Sequence, residues 1–150
     1  MKNSKTYRHT QPGWTILIFL LSSMILNTGF FLPRSSLELF SIITIFLILL
    51  GVLFGSLTIK VNEQCIEWNF GVGFWKKKIE LGEIDVVDVV INKWYYGWGI
   101  RYTPHGWLYN VSGFSAIELK LKNGKNIRLG SDQPELLKNA ILQNKDNHSF

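Results

Sequence analysis

Leu39 to Ile59 reads LFSIITIFLILLGVLFGSLTI, twenty-one residues without a charge, fifteen of them Leu, Ile, Val or Phe. A run of that length predicts a helix able to span a bilayer. Upstream, Trp14 to Leu32 gives nineteen more uncharged residues, which at about 1.5 Å per residue make roughly 28 Å of helix. Asn27 is the one strongly polar side chain in either run. The six-residue link Pro33-Arg34-Ser35-Ser36-Leu37-Glu38 is too short for anything but an antiparallel hairpin. A cleaved signal peptide is the rival reading of the first run, since Lys2, Lys5 and Arg8 precede it. Nineteen residues exceed the usual 7–15-residue signal core, and no small-x-small site follows.

The whole chain agrees with this partition. Of its 150 residues 47% are hydrophobic and only 18% charged, and mean hydropathy is +0.11. Soluble domains average about 25% charged residues. One cysteine, Cys65, excludes an intrachain disulfide framework and a zinc site built on several thiolates. The formal charge of +5 divides into +3 on residues 1–13, zero on the link and +2 beyond residue 59. Short flanks rich in Lys and Arg stay on the cytoplasmic side, so a multi-pass cell-membrane protein with both termini cytoplasmic is expected. The basic excess is thus topological, and nucleic-acid binding, which needs a concentrated basic surface, is not expected. Gly51 and Gly55 form a GxxxG, a spacing that admits close helix packing; Ser22 and Ser23 could face it within the hairpin, and a homo-oligomer is the other partner.

From Lys60 the pattern turns to short β-type runs separated by turn residues. Strands are predicted near 57–62, 65–70, 74–80, 84–92, 100–103, 107–111, 115–122 and 125–130. Asn123-Gly124 suits a type I′ hairpin turn, and the alternation before it puts Ile117, Leu119 and Leu121 on one face. Asp85 and Asp88 have opposite parity in a strand, which makes them a poor acid–base pair and suits charges that limit edge pairing. A terminal helix over 133–143 is predicted from the stripe Leu136, Leu137, Ala140 and Ile141, with Asp132 and Glu135 as a capping box.

The segments Trp94-Tyr95-Tyr96-Gly97-Trp98-Gly99-Ile100-Arg101-Tyr102-Thr103-Pro104, His105-Gly106-Trp107-Leu108-Tyr109-Asn110-Val111-Ser112-Gly113 and Ile127-Arg128-Leu129-Gly130-Ser131-Asp132-Gln133-Pro134, in the order two spans, short strands and a last helix, resemble the bacterial pleckstrin-homology-like membrane proteins. That resemblance implies a seven-stranded barrel capped by a C-terminal helix, and a binding or assembly module without a cofactor. The expected architecture is therefore a basic tail (1–13), a two-helix transmembrane hairpin (14–59, with spans 14–32 and 39–59) and a cytoplasmic, all-β, pleckstrin-homology-like barrel (60–150). The turn Val61-Asn62-Glu63-Gln64-Cys65 carries an acid where phosphoinositide-binding relatives carry several cations, so phosphoinositide recognition is not expected.

Residues 94–111 hold three of the six tryptophans and four of the five tyrosines. They are either rings that fill a small core or a surface that stacks on a partner. Trp94, Tyr95 and Trp98, with Arg101 beside them, are the candidate ligand- or partner-binding residues. Lys76, Lys77 and Lys78 are the candidate lipid-surface contacts. His9, His105 and His148 are dispersed, with no metal spacing among them. The expected function is non-enzymatic: binding of protein or of a membrane surface, and assembly, with the lipid bilayer and a membrane-protein or homo-oligomeric partner. The alternative is a membrane enzyme or lipid-handling protein with a pocket under the aromatic loop, built on Arg101, His105 and Asp85.

Overall fold

The computed structural model describes residues 6–31, 37–73 and 75–146. Lys2, Lys5, Leu32, the link residues 33–36, Phe74 and His148 lie outside the described residues. Two sheets carry the fold. Strands β1 (Tyr7–Pro12), β2 (Ser56–Val61), β3 (Cys65–Phe70) and β4 (Trp75–Glu80) form one antiparallel sheet in chain order. The strands β5 (Ile84–Ile91), β6 (Gly99–Thr103), β7 (Gly106–Asn110), β8 (Ser115–Leu121) and β9 (Asn126–Gly130) form the other, in the order β5-β8-β9-β7-β6. Only β7 and β9 run parallel.

Period-2 alternation builds the core between the sheets. Leu57, Ile59 and Val61 from β2, Ile66, Trp68 and Phe70 from β3, and Ile117, Leu119 and Leu121 from β8 are all buried there. Helix α3 (Pro134–Asp146) lies over one end, contributing Leu137 and Ile141 to the same cluster. With β1, β4, β5 and β6 left as edges, the two sheets do not close, and the seven-stranded barrel expected from the resemblance is replaced, among the described residues, by nine strands in an open two-sheet arrangement.

Helices α1 (Trp14–Phe31) and α2 (Leu37–Phe54) leave the first sheet side by side as a hairpin. The ladder pairs Pro12 with Ser56, and the Gly13 amide then donates to the Gly55 carbonyl at 2.8 Å, so β1-α1-α2-β2 is one continuous antiparallel excursion. Here the sequence expectation is corrected. The second apolar run does not stay helical to Ile59, because Leu57 and Ile59 belong to β2 and face the core between β1 and β3. Eighteen residues remain in each helix, about 27 Å, against a hydrocarbon thickness of about 30 Å. Among the described residues no helix is long and apolar enough to cross a membrane. The transmembrane hairpin over 14–59 is therefore not formed as expected, and the multi-pass cell-membrane placement with cytoplasmic termini, which rested on it, falls with it.

Two smaller corrections follow from local chemistry. Tyr7–Pro12, part of the stretch read as a basic tail, is an edge strand paired along its whole length with β2. At Asn123-Gly124 the Gly124 amide donates to the Leu121 carbonyl at 2.9 Å, which puts Gly124, at φ +80°, last in the turn rather than at its centre. That is a three-residue connection ending in a left-handed glycine, not a type I′ turn.

Candidate functional site

Packing within the helical hairpin uses one narrow seam. Leu20 and Asn27, seven residues apart on α1, are buried. A Cβ on Gly51 would stand 3.4 Å from Leu20 Cδ1, and one on Gly55 would stand 3.2 Å from Leu17 Cδ2. The GxxxG glycines thus face α1 of the same chain. The Asn27 amide donates to Thr44 Oγ1 at 3.1 Å, the one side chain–side chain hydrogen bond across the described seam.

Outside the seam the helices are apolar and uncovered. Ile18, Phe19, Leu21, Ile25 (72% exposed) and Leu26 (73%) on α1, and Ile42, Ile45, Phe46, Ile48 and Leu49 on α2, stand free of the domain. From Gly13 to Leu32 no residue carries a charge. Ser22 and Ser23 hydroxyls donate to the carbonyls of Ile18 and Phe19 at 2.8 Å, which hides their polarity within the helix.

At the foot of the hairpin lies a polar face. The β1-β2-β3-β4 register sets Arg8 opposite Lys60, Lys60 opposite Glu67, and Asn69 opposite Lys76, all on the side away from the core. Lys76 Nζ is 3.0 Å from Glu67 Oε2. This pairing, with Lys60 adding to it, holds the Glu67 carboxyl below its ordinary value against a smaller opposing effect of burial. Arg8 and Lys60 have no ion-pair partner among the described residues. The turn Gly71-Val72-Gly73 closes the face toward the helices: the Gly71 amide donates to the Ser56 carbonyl at 2.9 Å. At φ +48°, Gly71 lies where a Cβ would collide with the carbonyl oxygens of Val52 and Leu53 at the end of α2, so only glycine fits. A concavity of about 360 Å³ lies over this face.

The three predicted lysines do not act together. Strand alternation sends Lys76 and Lys78, the latter opposite Glu67, to this face and Lys77, opposite Trp68, to the other side, where Lys77 lines a separate cleft. That cleft, about 590 Å³, opens between the unclosed sheets and is walled by Trp68, Tyr102, His105 and Trp107.

The aromatic stretch divides as well. Asn92 to Trp98 forms a strap over the outer side of the second sheet, with a 3₁₀ turn at Trp94–Tyr96. Tyr96 is buried beneath it, while Trp94 (76% exposed) and Tyr95 (57%) lie outside. Trp98 is half-buried, its indole N–H donating to the Gly113 carbonyl at 3.3 Å. Arg101 anchors the strap by donating from Nε to the Trp98 carbonyl at 2.9 Å. Trp94, Tyr95, Trp98 and Arg101 therefore share one segment, but only the first two rings are openly displayed.

Arg101, His105 and Asp85 are not brought together. Asp85 is on β5 and Arg101 on β6, the opposite edges of a five-stranded sheet, about 19 Å apart at the usual strand spacing. A bulge between Ile84 and Val86 also breaks the strict alternation assumed for Asp85 and Asp88; both are solvent-accessible, and Asp88 lies 3.9 Å from Lys120 and from Lys138. Cys65 is buried. Among the described residues no three His, Cys, Asp or Glu side chains are placed to hold a metal ion.

Sequence reasoning missed Arg8, Lys60 and Glu67. Their meeting depends on β1 pairing, and the polar hexapeptide YRHTQP carries no hydrophobic alternation that announces a strand. Comparison with protein-family models and with curated proteins finds no match for this chain.

Proposed function

We propose that this protein is a non-enzymatic lipid-surface binding module, in which the apolar hairpin enters the acyl layer from one side and holds the two-sheet domain against the headgroups. One observation carries the reading: outside their seam, α1 and α2 expose large apolar side chains along their length, and Glu38 at the start of α2 is their single charge. A helix hydrophobic all round needs an apolar environment, and exposed patches of this kind mark interaction surfaces. Pairing of two hairpins into a four-helix bundle would leave an outward face in water, which ought to be polar; the exposed polar side chains Ser22, Thr28, Glu38 and Ser41 are too few among the exposed apolar ones to supply it. Both ends of the hairpin meet at Gly13 and Gly55, so it enters and leaves on the same side. Trp14 at its foot, and Val72 and Trp75 on the far side of the same end of the first sheet, are exposed and suit the boundary between acyl chains and headgroups.

The test is flotation of the full chain with phosphatidylcholine vesicles. The protein is expected to rise with the lipid, and a Phe19→Asp/Ile25→Asp/Ile45→Asp variant is expected to stay below with its β-sheet circular dichroism unchanged. A wild-type chain that stays below as a discrete dimer, or a triple variant that still floats, overturns the reading.

A second reading is favoured by the 590 Å³ cleft walled by Trp68, Tyr102 and Trp107 with Lys77, Lys78 and Lys125 at its edges: a site for a small ligand with an apolar part and an anionic end. Quenching of tryptophan fluorescence by an acyl-chain probe, lost in Trp107→Ala, is the result that reading requires.

A further inference from the structure

We propose that the outer face of the first sheet, at the foot of the hairpin, is a binding site for the phosphodiester headgroup of an anionic lipid, with Arg8, Lys60 and Lys76 as its cations. This deepens the lipid-surface reading and rests on it for the orientation of the site.

Four strands bring four cations, Arg8, Lys60, Lys76 and Lys78, and two carboxylates, Glu67 and Glu80, onto one face, a formal charge of +2. Arg8 and Lys60 stand directly opposite one another in the β1-β2 ladder, where like charges repel and an anion between them relieves the repulsion. Arg8 has no ion-pair partner among the described residues, and Glu67, which Lys60 faces across the ladder, is already engaged by Lys76 at 3.0 Å. Asn69 and Thr58 add uncharged polar groups to the 360 Å³ concavity that Arg8, Lys60 and Lys76 line. A phosphodiester, with one negative charge and several acceptor oxygens, matches that set; guanidinium and ammonium donors bind such oxygens through charge-assisted hydrogen bonds.

Position selects the source of the phosphate. The rim of the concavity is the Gly71-Val72-Gly73 turn, tied through Gly71 to Ser56, two residues from the end of α2. Val72 is 80% exposed on that rim. An anion held here therefore lies at the level where the apolar helices begin, which is where lipid phosphates lie once the hairpin is in the acyl layer. A soluble phosphate compound would have no need of that placement.

The experiment uses the full chain in dodecylmaltoside micelles, titrated with dihexanoyl-phosphatidylglycerol, dihexanoyl-phosphatidylcholine or inorganic phosphate and followed by backbone amide NMR. Saturable shifts at Lys60, Asn69, Gly71, Val72 and Gly73 are expected with phosphatidylglycerol, with affinity reduced roughly tenfold or more in Lys60→Gln/Lys76→Gln and unchanged in Lys122→Gln/Lys125→Gln. Amides of β8 and β9 report whether each variant is folded, and the single Arg8→Gln, at an exposed edge, gives the same reading if the double variant is not. Equal binding of phosphatidylcholine, or no effect of the cation variants, overturns the site; inorganic phosphate binding as tightly as phosphatidylglycerol overturns its assignment to lipid. Micelles hold the hairpin whatever happens in flotation, so failure to float condemns the anchoring reading and loss of headgroup selectivity condemns only the site.

Discussion

Arg128 Nε donates to Glu118 Oε1 at 2.8 Å, and both side chains are at least nine-tenths buried although they sit on the outer side of the second sheet. What covers them is the strap: buried Asn92 accepts from the same guanidinium at 3.2 Å, and Tyr96 follows it in the chain. Removing one member of such a pair strands a charge away from water, at a cost of about 3–5 kcal/mol. Arg128→Ala is therefore expected to lower unfolding free energy by that order, and Arg128→Met/Glu118→Leu by clearly less. Urea denaturation of the three proteins checks this; a double variant as unstable as the single one would show that the pair does not act as a unit.

The strap makes a second prediction, ring by ring. Tyr96→Ala opens a hole over the sheet and should cost about 2–4 kcal/mol. Trp94→Ala and Tyr95→Ala remove rings that face solvent and should stay within about 0.5 kcal/mol of wild type. The Lys93 ammonium lies 5.6 Å from the Tyr95 ring centre, an exposed contact too weak to change this order. Thermal unfolding distinguishes the three, and equal losses at Trp94 and Tyr96 would mean that the strap packs differently.

Strands such as β3 and β8 were legible because they carry their own alternation and their own turn: Ile117, Leu119 and Leu121 declare the inner face of β8 without reference to any other part of the chain. The end of α2 was not. Leu57, Thr58 and Ile59 are as apolar as the helix before them, and only Gly55 punctuates the change, so a hydropathy count runs through it. Strand β1 was hidden for the opposite reason, since its inward residues Tyr7, His9 and Gln11 are polar and its stability comes from the β2 ladder. The Arg8–Lys60 convergence depends on that pairing across fifty residues and has no local signal. For Lys76 to Lys78 the run of like residues suggested a cluster, while the pleat of β4 divides them between two faces.

Two glycines in the hairpin should respond with opposite signs. A Cβ on Gly55 meets the Gly51 carbonyl oxygen and stands 3.2 Å from Leu17 Cδ2, whereas one on Gly29 meets nothing within 4 Å. Gly55→Ala is expected to destabilise by about 1–3 kcal/mol through forced displacement of the seam. Gly29→Ala should stabilise α1 by up to about 1 kcal/mol, the ordinary helix-propensity difference. Both are read from unfolding in detergent; a stabilising Gly55→Ala would mean that α1 and α2 stand further apart there.

Acid should loosen the first sheet through Glu67. Its carboxyl is held below the ordinary 4.5 chiefly by the hydrogen bond from Lys76, so the folded state binds its proton less readily than the unfolded chain does. The resulting stabilisation is complete above the unfolded value and is lost as pH falls through the lower, folded value. Stability measured between neutral pH and pH 3 should therefore fall, and Glu67→Gln should flatten part of that fall while being less stable than wild type at pH 7. Lys76→Gln should flatten the same part, because it removes the donor that causes the shift. An acid limb unchanged in both variants would show that the Glu67–Lys76 contact is too open to water to couple with folding.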